Sequence, residues 1–210
     1  MTRVKICGIT SLDDALWATD RGADAIGFVF AESPRRVSPE SAGAIMRGLS
    51  RSVTGVGVFV NSDAAEIRRT LEIARCSEAQ LHGDEGEELI AALAPYAVVK
   101  ALPVKGGVDA GLVERYRSAM AILLDTYVGG IRGGTGQRFD LSVASELVKE
   151  GWRVIVAGGL TPENVGEVIS TVRPYGVDVS TGVERAPGRK DRDKVARFIA
   201  AARAADARRC

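Results

Sequence analysis

Two side chains that can exchange protons each follow a short run that predicts a strand. Cys7 follows Val4–Ile6, and Asp125 follows Ile122–Leu124. A free thiol has a pKa of about 8.5, so Cys7 needs a positive neighbour or a helix N-terminus to act as a base. A carboxyl after an apolar strand is expected to be desolvated, which favours the neutral acid. The pair suggests a base and an acid. The alternatives are that Cys7 is a small buried hydrophobic residue and that Asp125 is a helix cap or an ion-pair partner.

Lys5 is the positive neighbour that the sequence offers to Cys7. Alternation along a strand places Arg3, Lys5 and Cys7 on one face. A buried lysine requires a carboxylate partner, and Asp178, at the end of the last predicted strand, is the candidate. We therefore predict a Lys5–Asp178 ion pair and an electrostatic effect of Lys5 on the thiol.

Glycine-bearing segments after the last two predicted strands are typical of a phosphate site. Gly158 and Gly159 allow backbone N–H groups to approach a ligand closely, and Ser180-Thr181-Gly182 is predicted to begin a short helix. In barrels, the loops after strands seven and eight often bind phosphate. The Gly133–Gly136 segment matches no P-loop, and we expect it to close over the site unless it is only a flexible surface turn.

Arg35 and His82 complete the set of candidate binding residues. The Arg35-Arg36 pair is either a solvated basic pair or a clamp for a substrate carboxylate. His82 is the only histidine of the chain, so we predict no metal site and assign His82 a structural or substrate-contacting role. No cofactor is implied.

The elements that must position these residues alternate as strand and helix, about every 25 residues. Ser11, Ser38, Asn61/Ser62 and Thr161-Pro162-Glu163 are predicted to begin helices one, two, three and seven. The predicted strands are Arg3–Cys7, Ala25–Phe30, Gly55–Val60, Ala79–His82, Ala97–Leu102, Ala121–Asp125, Arg153–Ala157 and Gly176–Val179. Eight such units predict an α/β fold, a (β/α)₈ TIM barrel forming a single domain over residues 1–210, with a doubly wound open sheet as the alternative.

Composition excludes several classes of protein. The chain has 210 residues and a net charge of +1, which argues against nucleic-acid and membrane partners. Its three cysteines form no zinc-like spacing, and no signal peptide or apolar span is recognised. A reducing, cytoplasmic location is expected, and the pattern leaves a monomer or a homodimer open.

The chain closely resembles the phosphoribosylanthranilate isomerase family over nearly its whole length. The motifs that carry the resemblance are Lys5-Ile6-Cys7-Gly8-Ile9-Thr10, Gly27-Phe28-Val29-Phe30, Ser33-Pro34-Arg35, Gly57-Val58-Phe59-Val60-Asn61, Gln80-Leu81-His82-Gly83, Leu123-Leu124-Asp125, Gly133-Gly134-Thr135-Gly136, Gly158-Gly159-Leu160-Thr161-Pro162 and Asp178-Val179-Ser180-Thr181-Gly182-Val183-Glu184. In this order the set is highly specific.

The resemblance implies an Amadori rearrangement of a phosphorylated aminoaldose, without a cofactor, in tryptophan biosynthesis. It implies that Cys7 is the general base, that Asp125 is the general acid and that Arg35 binds the anthranilate carboxylate. Arg36 stands where many relatives have an aromatic residue. The substrate-binding candidates are thus Arg35, His82, Gly134 and Asp178, and the phosphate-binding candidates are Gly158, Gly159, Ser180, Thr181 and Gly182. The alternatives are a histidine-pathway aminoaldose isomerase and a non-catalytic sugar-phosphate sensor.

Overall fold

Eight parallel strands close into a barrel in the computed structural model, which describes residues 1–104, 110–125 and 141–208. They follow one another in chain order, and the eighth pairs with the first. The strands are β1 (Arg3–Cys7), β2 (Ala25–Val29), β3 (Thr54–Phe59), β4 (Glu78–Leu81), β5 (Ala97–Pro103), β6 (Ala121–Asp125), β7 (Val154–Ala157) and β8 (Gly176–Val179). The closed ring confirms the predicted barrel and excludes the doubly wound sheet.

Helices surround the barrel. They are α1 (Leu12–Asp20), α2 (Pro39–Arg47), α3 (Ala64–Ala74), α4 (Glu87–Ala92), α5 (Ala110–Arg115), α6 (Ser142–Lys149), α7 (Val165–Val172) and α8 (Arg192–Ala207). A 3₁₀ turn, Thr181–Val183, follows β8 and confirms the short helix expected there. An antiparallel hairpin of β9 (Glu184–Ala186) and β10 (Arg189–Lys190) comes next, and the sequence pattern does not predict it. No helix of the described residues is long and apolar enough to cross a membrane.

Side-chain caps start the first two helices where the sequence predicts them. Ser11 accepts a hydrogen bond from the N–H of Asp14, and Ser38 accepts one from Ser41, with Pro39 in the first turn. These contacts satisfy N–H groups that have no partner inside the helix.

Two predicted helix starts are wrong. The cap of α3 is Asp63, and neither Asn61 nor Ser62 begins the helix. Asn61 has a left-handed φ of 54°, and its side chain accepts from the N–H of Asp84 in the next loop. A residue in that conformation, committed to another loop, cannot cap the helix.

The seventh helix begins at Val165, and not at Thr161-Pro162-Glu163. The side chain of Asn164 accepts from the N–H of Thr161, so the predicted start forms a turn instead. This turn shapes the end of the loop after β7.

The barrel interior has a polar side and an apolar side. Strands β1, β4 and β8 contribute the polar residues Arg3, Lys5, Glu78, Gln80 and Asp178, while β5–β7 contribute the apolar cluster of Val99, Ala101, Ala121, Leu123, Ile155 and Ala157. Arg3 and Glu78 form a two-hydrogen-bond ion pair. Lys5 and Asp178 are paired in register one layer nearer the carboxyl ends of the strands. Cys7, His82 and Asp125 lie above this layer, at the rim.

Candidate active site

Cys7 is the last residue of β1 and is almost fully buried, with 9% of its surface exposed. Lys5 Nζ lies 3.5 Å from Cys7 Sγ. Burial raises the pKa of the Cys7 thiol, and the positive charge of Lys5 offsets only part of the increase. Lys5 therefore favours the thiolate form, whereas burial opposes it.

Lys5 is held in a buried ion pair. Its Nζ donates to Asp178 Oδ2 at 2.7 Å and to Gln80 Oε1 at 2.5 Å. Burial acts to lower the pKa of Lys5, but the negative charges of Asp178 and Cys7 outweigh it, and the pKa is raised. The predicted Lys5–Asp178 pair is confirmed. Asp178 Oδ1 is buried and has no hydrogen-bond partner in the part of the chain that the structure describes.

Replacing Lys5 by Met is expected to raise the pKa of Cys7 further. The change removes a positive charge 3.5 Å from the thiol and leaves Asp178, whose negative charge also acts to raise that pKa. Breaking a buried ion pair also costs about 3–5 kcal/mol of stability. The measurement is the pH dependence of alkylation at Cys7, followed by peptide mass spectrometry.

The control for this change is Lys100→Met. Lys100 is also buried and is paired with Glu85 at 2.7 Å, so its loss should destabilise the fold similarly without altering the Cys7 titration. An unchanged Cys7 titration in Lys5→Met would overturn the electrostatic role of Lys5.

Asp125 ends β6 at the rim and keeps 28% of its side chain exposed, so its expected desolvation is partial. His82 Nε2 lies 3.3 Å from Asp125 Oδ2. The other ring nitrogen, Nδ1, lies 2.8 Å from Gln80 Nε2. Gln80 thus contacts both Lys5 and His82, and a line of polar contacts joins Cys7 to Asp125 across the barrel.

The loops after β7 and β8 meet beside this rim. Gly158 and Gly159 have left-handed φ values of 79° and 65°, which favour glycine. Gly182 packs so closely against the carbonyl of Leu160 that there is no room for a side chain. Asn164 Nδ2 donates to Gly159 O at 3.0 Å and anchors the first loop. The two predicted phosphate-binding segments therefore lie next to each other, with their backbones in contact.

Arg35 reaches the same rim from the loop after β2. Its Nε donates to Glu184 Oε1 at 2.8 Å and its Nη2 to Oε2 at 2.6 Å, and Nη2 also lies 3.3 Å from Thr181 Oγ1. Lys190 donates to Glu184 at 2.9 Å. Burial acts to raise the pKa of Glu184, but Arg35 and Lys190 outweigh it and lower the pKa. Arg35 is thus oriented beside the β8 loop, whereas Arg36 is exposed.

The remaining predicted contact, Gly134, lies outside the described residues. Within the described ranges, no group of three potential metal ligands comes together.

Three polar residues of the site are missing from the sequence prediction: Gln80, Glu184 and Lys190. Gln80 could have been found, because strand alternation relates it to His82. Glu184 lies 149 positions from its partner Arg35, and no local pattern signals that pairing.

Gly27 makes room for the thiol. It is paired in register with Cys7, and a Cβ at this position would lie 2.7 Å from Cys7 Sγ and 2.8 Å from Lys5 Cε. We expect Gly27→Ala to displace Cys7 and to lower kcat by about 10²-fold, the effect of a misplacement of about 1 Å. Steady-state kinetics and a product-binding titration check this expectation.

The control is Gly166→Ala in α7, where the nearest atom to a new Cβ is 3.7 Å away. That variant should keep its activity. Equal activity of both alanine variants would contradict the packing argument at Gly27.

A thiol and a carboxyl at the mouth of a (β/α)₈ barrel, beside glycine-lined loops after β7 and β8, are typical of barrel enzymes that act on small phosphorylated molecules. Residues 4–201 match the family model described as N-(5'phosphoribosyl)anthranilate (PRA) isomerase. The N-(5′-phosphoribosyl)anthranilate isomerase of Geobacter metallireducens is 51% identical over 205 residues, covering 97% of this chain and 100% of the relative. The chain belongs to this family, which confirms both the resemblance and the isomerase class.

Solved structures agree. Phosphoribosyl anthranilate isomerase from Thermotoga maritima has a TM-score of 0.87 and 43% identity, and the alignment covers 97% of this chain and 100% of that one. A second phosphoribosyl anthranilate isomerase, in complex with reduced 1-(o-carboxyphenylamino)-1-deoxyribulose 5-phosphate, has a TM-score of 0.82 and 41% identity at the same coverage.

Proposed function

We propose that the chain converts N-(5′-phosphoribosyl)anthranilate to 1-(2-carboxyphenylamino)-1-deoxyribulose 5-phosphate in tryptophan biosynthesis, with Asp125 as the general acid and Cys7 as the general base. The observation that carries the proposal is the placement of the thiol and the carboxyl at one rim of the barrel, joined through Lys5, Gln80 and His82. The reaction needs a proton at the furanose ring oxygen and the removal of a proton from C2′, without an external oxidant or reductant, and two such groups can supply these transfers.

Asp125 begins the reaction. Its carboxyl gives a proton to the furanose ring oxygen as the bond from C1′ to that oxygen breaks. The nitrogen lone pair forms the C1′=N bond, so the ring opens to a protonated Schiff base and Asp125 is left as a carboxylate. A proton on His82 Nε2, which lies 3.3 Å from Asp125 Oδ2, would stabilise that carboxylate.

Cys7 carries out the second transfer. Its thiolate takes the proton from C2′, and the electrons of that bond form C1′=C2′ while those of C1′=N return to nitrogen. The protonated imine acidifies the C2′–H bond, so a thiolate is a sufficiently strong base. The resulting enolamine gains a proton at C1′ and loses one from its 2′-hydroxyl. A proton then passes through solvent from the Cys7 thiol to the Asp125 carboxylate, so both groups are restored and no net proton is consumed.

The phosphate and carboxylate of the substrate fix its orientation. We assign the phosphate to the backbone around Gly158 and Gly159 and to Ser180-Thr181-Gly182, because those loops adjoin. We assign the anthranilate carboxylate to Arg35, whose Nη1 makes no hydrogen bond among the described residues. Asp178 Oδ1, which has no hydrogen-bond partner among the described residues, suits a substrate hydroxyl.

Two alternatives remain distinct from this proposal. A histidine-pathway isomerase performs the same chemistry on a longer bis-phosphate, but such barrels use carboxylates for both acid and base, unlike Cys7 here. A sensor would bind the sugar phosphate without turnover.

A relative from Thermotoga maritima is described as dimeric. We propose that this chain is a monomer or a homodimer, and light scattering would distinguish the two. The cytoplasmic location stays a prediction.

The test of the proposed function is the fluorescence change when purified protein is added to enzymatically generated phosphoribosylanthranilate. Rapid loss of substrate fluorescence, with catalytic amounts of protein, is the expected result. Binding of the substrate without turnover would establish the sensor alternative, and turnover of only the histidine-pathway substrate would establish the other.

A further inference from the structure

Gln80 lies between the two halves of the proposed acid–base pair. It is 3% exposed, and its two amide atoms contact different groups: Oε1 lies 2.5 Å from Lys5 Nζ, and Nε2 lies 2.8 Å from His82 Nδ1. An ammonium group only donates hydrogen bonds, so the Gln80 atom that faces Lys5 must be the carbonyl oxygen. The Lys5–Asp178 ion pair in turn fixes the position of that ammonium. The orientation of the Gln80 amide therefore follows from the fact that the Lys5 ammonium can only donate.

This orientation determines which nitrogen of His82 carries the proton. The amide nitrogen of Gln80 is a donor, so it requires an acceptor at His82 Nδ1. In a neutral imidazole the proton must then reside on Nε2, the atom that lies 3.3 Å from Asp125 Oδ2. The opposite tautomer would place two donors face to face at Gln80 and a lone pair against the carboxylate at Asp125.

We infer that Gln80 is a positioning residue that holds His82 as the neutral Nε2–H tautomer, so that His82 donates to Asp125 as that group loses its proton to the substrate. The inference rests on the proposed roles of Asp125 and Cys7. Because His82 Nε2 already lies 3.3 Å from Asp125 Oδ2 before the reaction, a proton on Nε2 stabilises the charge that develops there with little reorganisation. Removing one hydrogen bond to a charged group corresponds to a loss of about 10- to 100-fold in kcat.

Nitrogen NMR of the imidazole tests the inference directly, because His82 is the only histidine in the chain and its signals need no assignment. In the wild-type protein we expect Nε2 to be protonated and Nδ1 to be unprotonated. In Gln80→Glu the new carboxylate accepts from both Lys5 and His82, so Nδ1 should become protonated. The matched control is Glu78→Gln, the opposite exchange one layer below on β4, where the partner is Arg3 and not the histidine. That control should keep the wild-type tautomer and kcat.

Kinetics complete the test. Gln80→Glu and Gln80→Met should both lower kcat about 10- to 100-fold with little change in KM, and Gln80→Met adds no charge near Cys7. A proton on Nδ1 in the wild-type protein would overturn the inference without any variant. An unchanged tautomer in Gln80→Glu, or an undiminished kcat in Gln80→Met, would also overturn it. The NMR result needs no substrate, so it stands apart from the proposed function. If the wild-type protein turned nothing over, the proposed reaction would fail while the tautomer assignment could still hold.

Discussion

Replacing Cys7 by serine is expected to lower kcat by about 10²–10⁴-fold, the range for loss of a general base. A serine hydroxyl is close in size to the thiol but far less acidic, and one ammonium 3.5 Å away cannot ionise it at neutral pH. Product binding should change much less, because the proposed phosphate contacts belong to other loops. The measurements are steady-state kcat and a fluorescence titration with product.

The control for Cys7→Ser is Cys76→Ser. Cys76 is also buried, and burial raises the pKa of its thiol to about 12 with no positive neighbour among the described residues to oppose it, as Lys5 does at Cys7, so Cys76 is no candidate base. That variant should lose stability but keep its kcat. Near-normal turnover in Cys7→Ser would contradict the assignment of Cys7 as the general base, whatever the kcat of Cys76→Ser.

The second large effect is expected for Asp125→Asn, with a loss in kcat of about 10²–10⁴-fold. An amide cannot protonate the furanose ring oxygen, so ring opening should limit the rate. The shape of the side chain is retained, and the amide oxygen can still accept from His82. The kcat of the variant should again fall far more than its affinity for product.

Asp24→Asn is the matched exchange at the opposite end of the barrel. Asp24 precedes β2 and pairs with Arg203 at 2.7 Å, so its loss should affect stability and not turnover. If Asp125→Asn retained most of its activity, another group would have to supply the proton and the assignment of Asp125 would fall.

Much of the fold is predictable from local patterns. Apolar runs followed by caps such as Ser11 and Ser38 locate the first strands and helices, and the completed eighth unit favours a closed barrel. The Lys5–Asp178 pair is also predictable, since strand alternation sets the face and closure of the barrel makes β1 and β8 neighbours.

The side-chain contacts within the site are harder to predict from local sequence patterns. The Arg35–Glu184 pair joins loops that are distant in the chain, and it depends on the unpredicted β9–β10 hairpin, which also brings Lys190 to Glu184. Asn61 shows the same limit on a smaller scale. Its side chain resembles a helix cap in the sequence, but the loop after β4 recruits it instead.

The most direct test of the site is a crystal structure of the protein with bound product or reduced product. We expect the phosphate at the backbone of Gly159 and of Ser180–Gly182, with C2′ next to Cys7 Sγ and the furanose-derived oxygen next to Asp125. A phosphate bound elsewhere on the barrel, or a C2′ atom beyond the reach of Cys7 and next to another base, would contradict the proposed site.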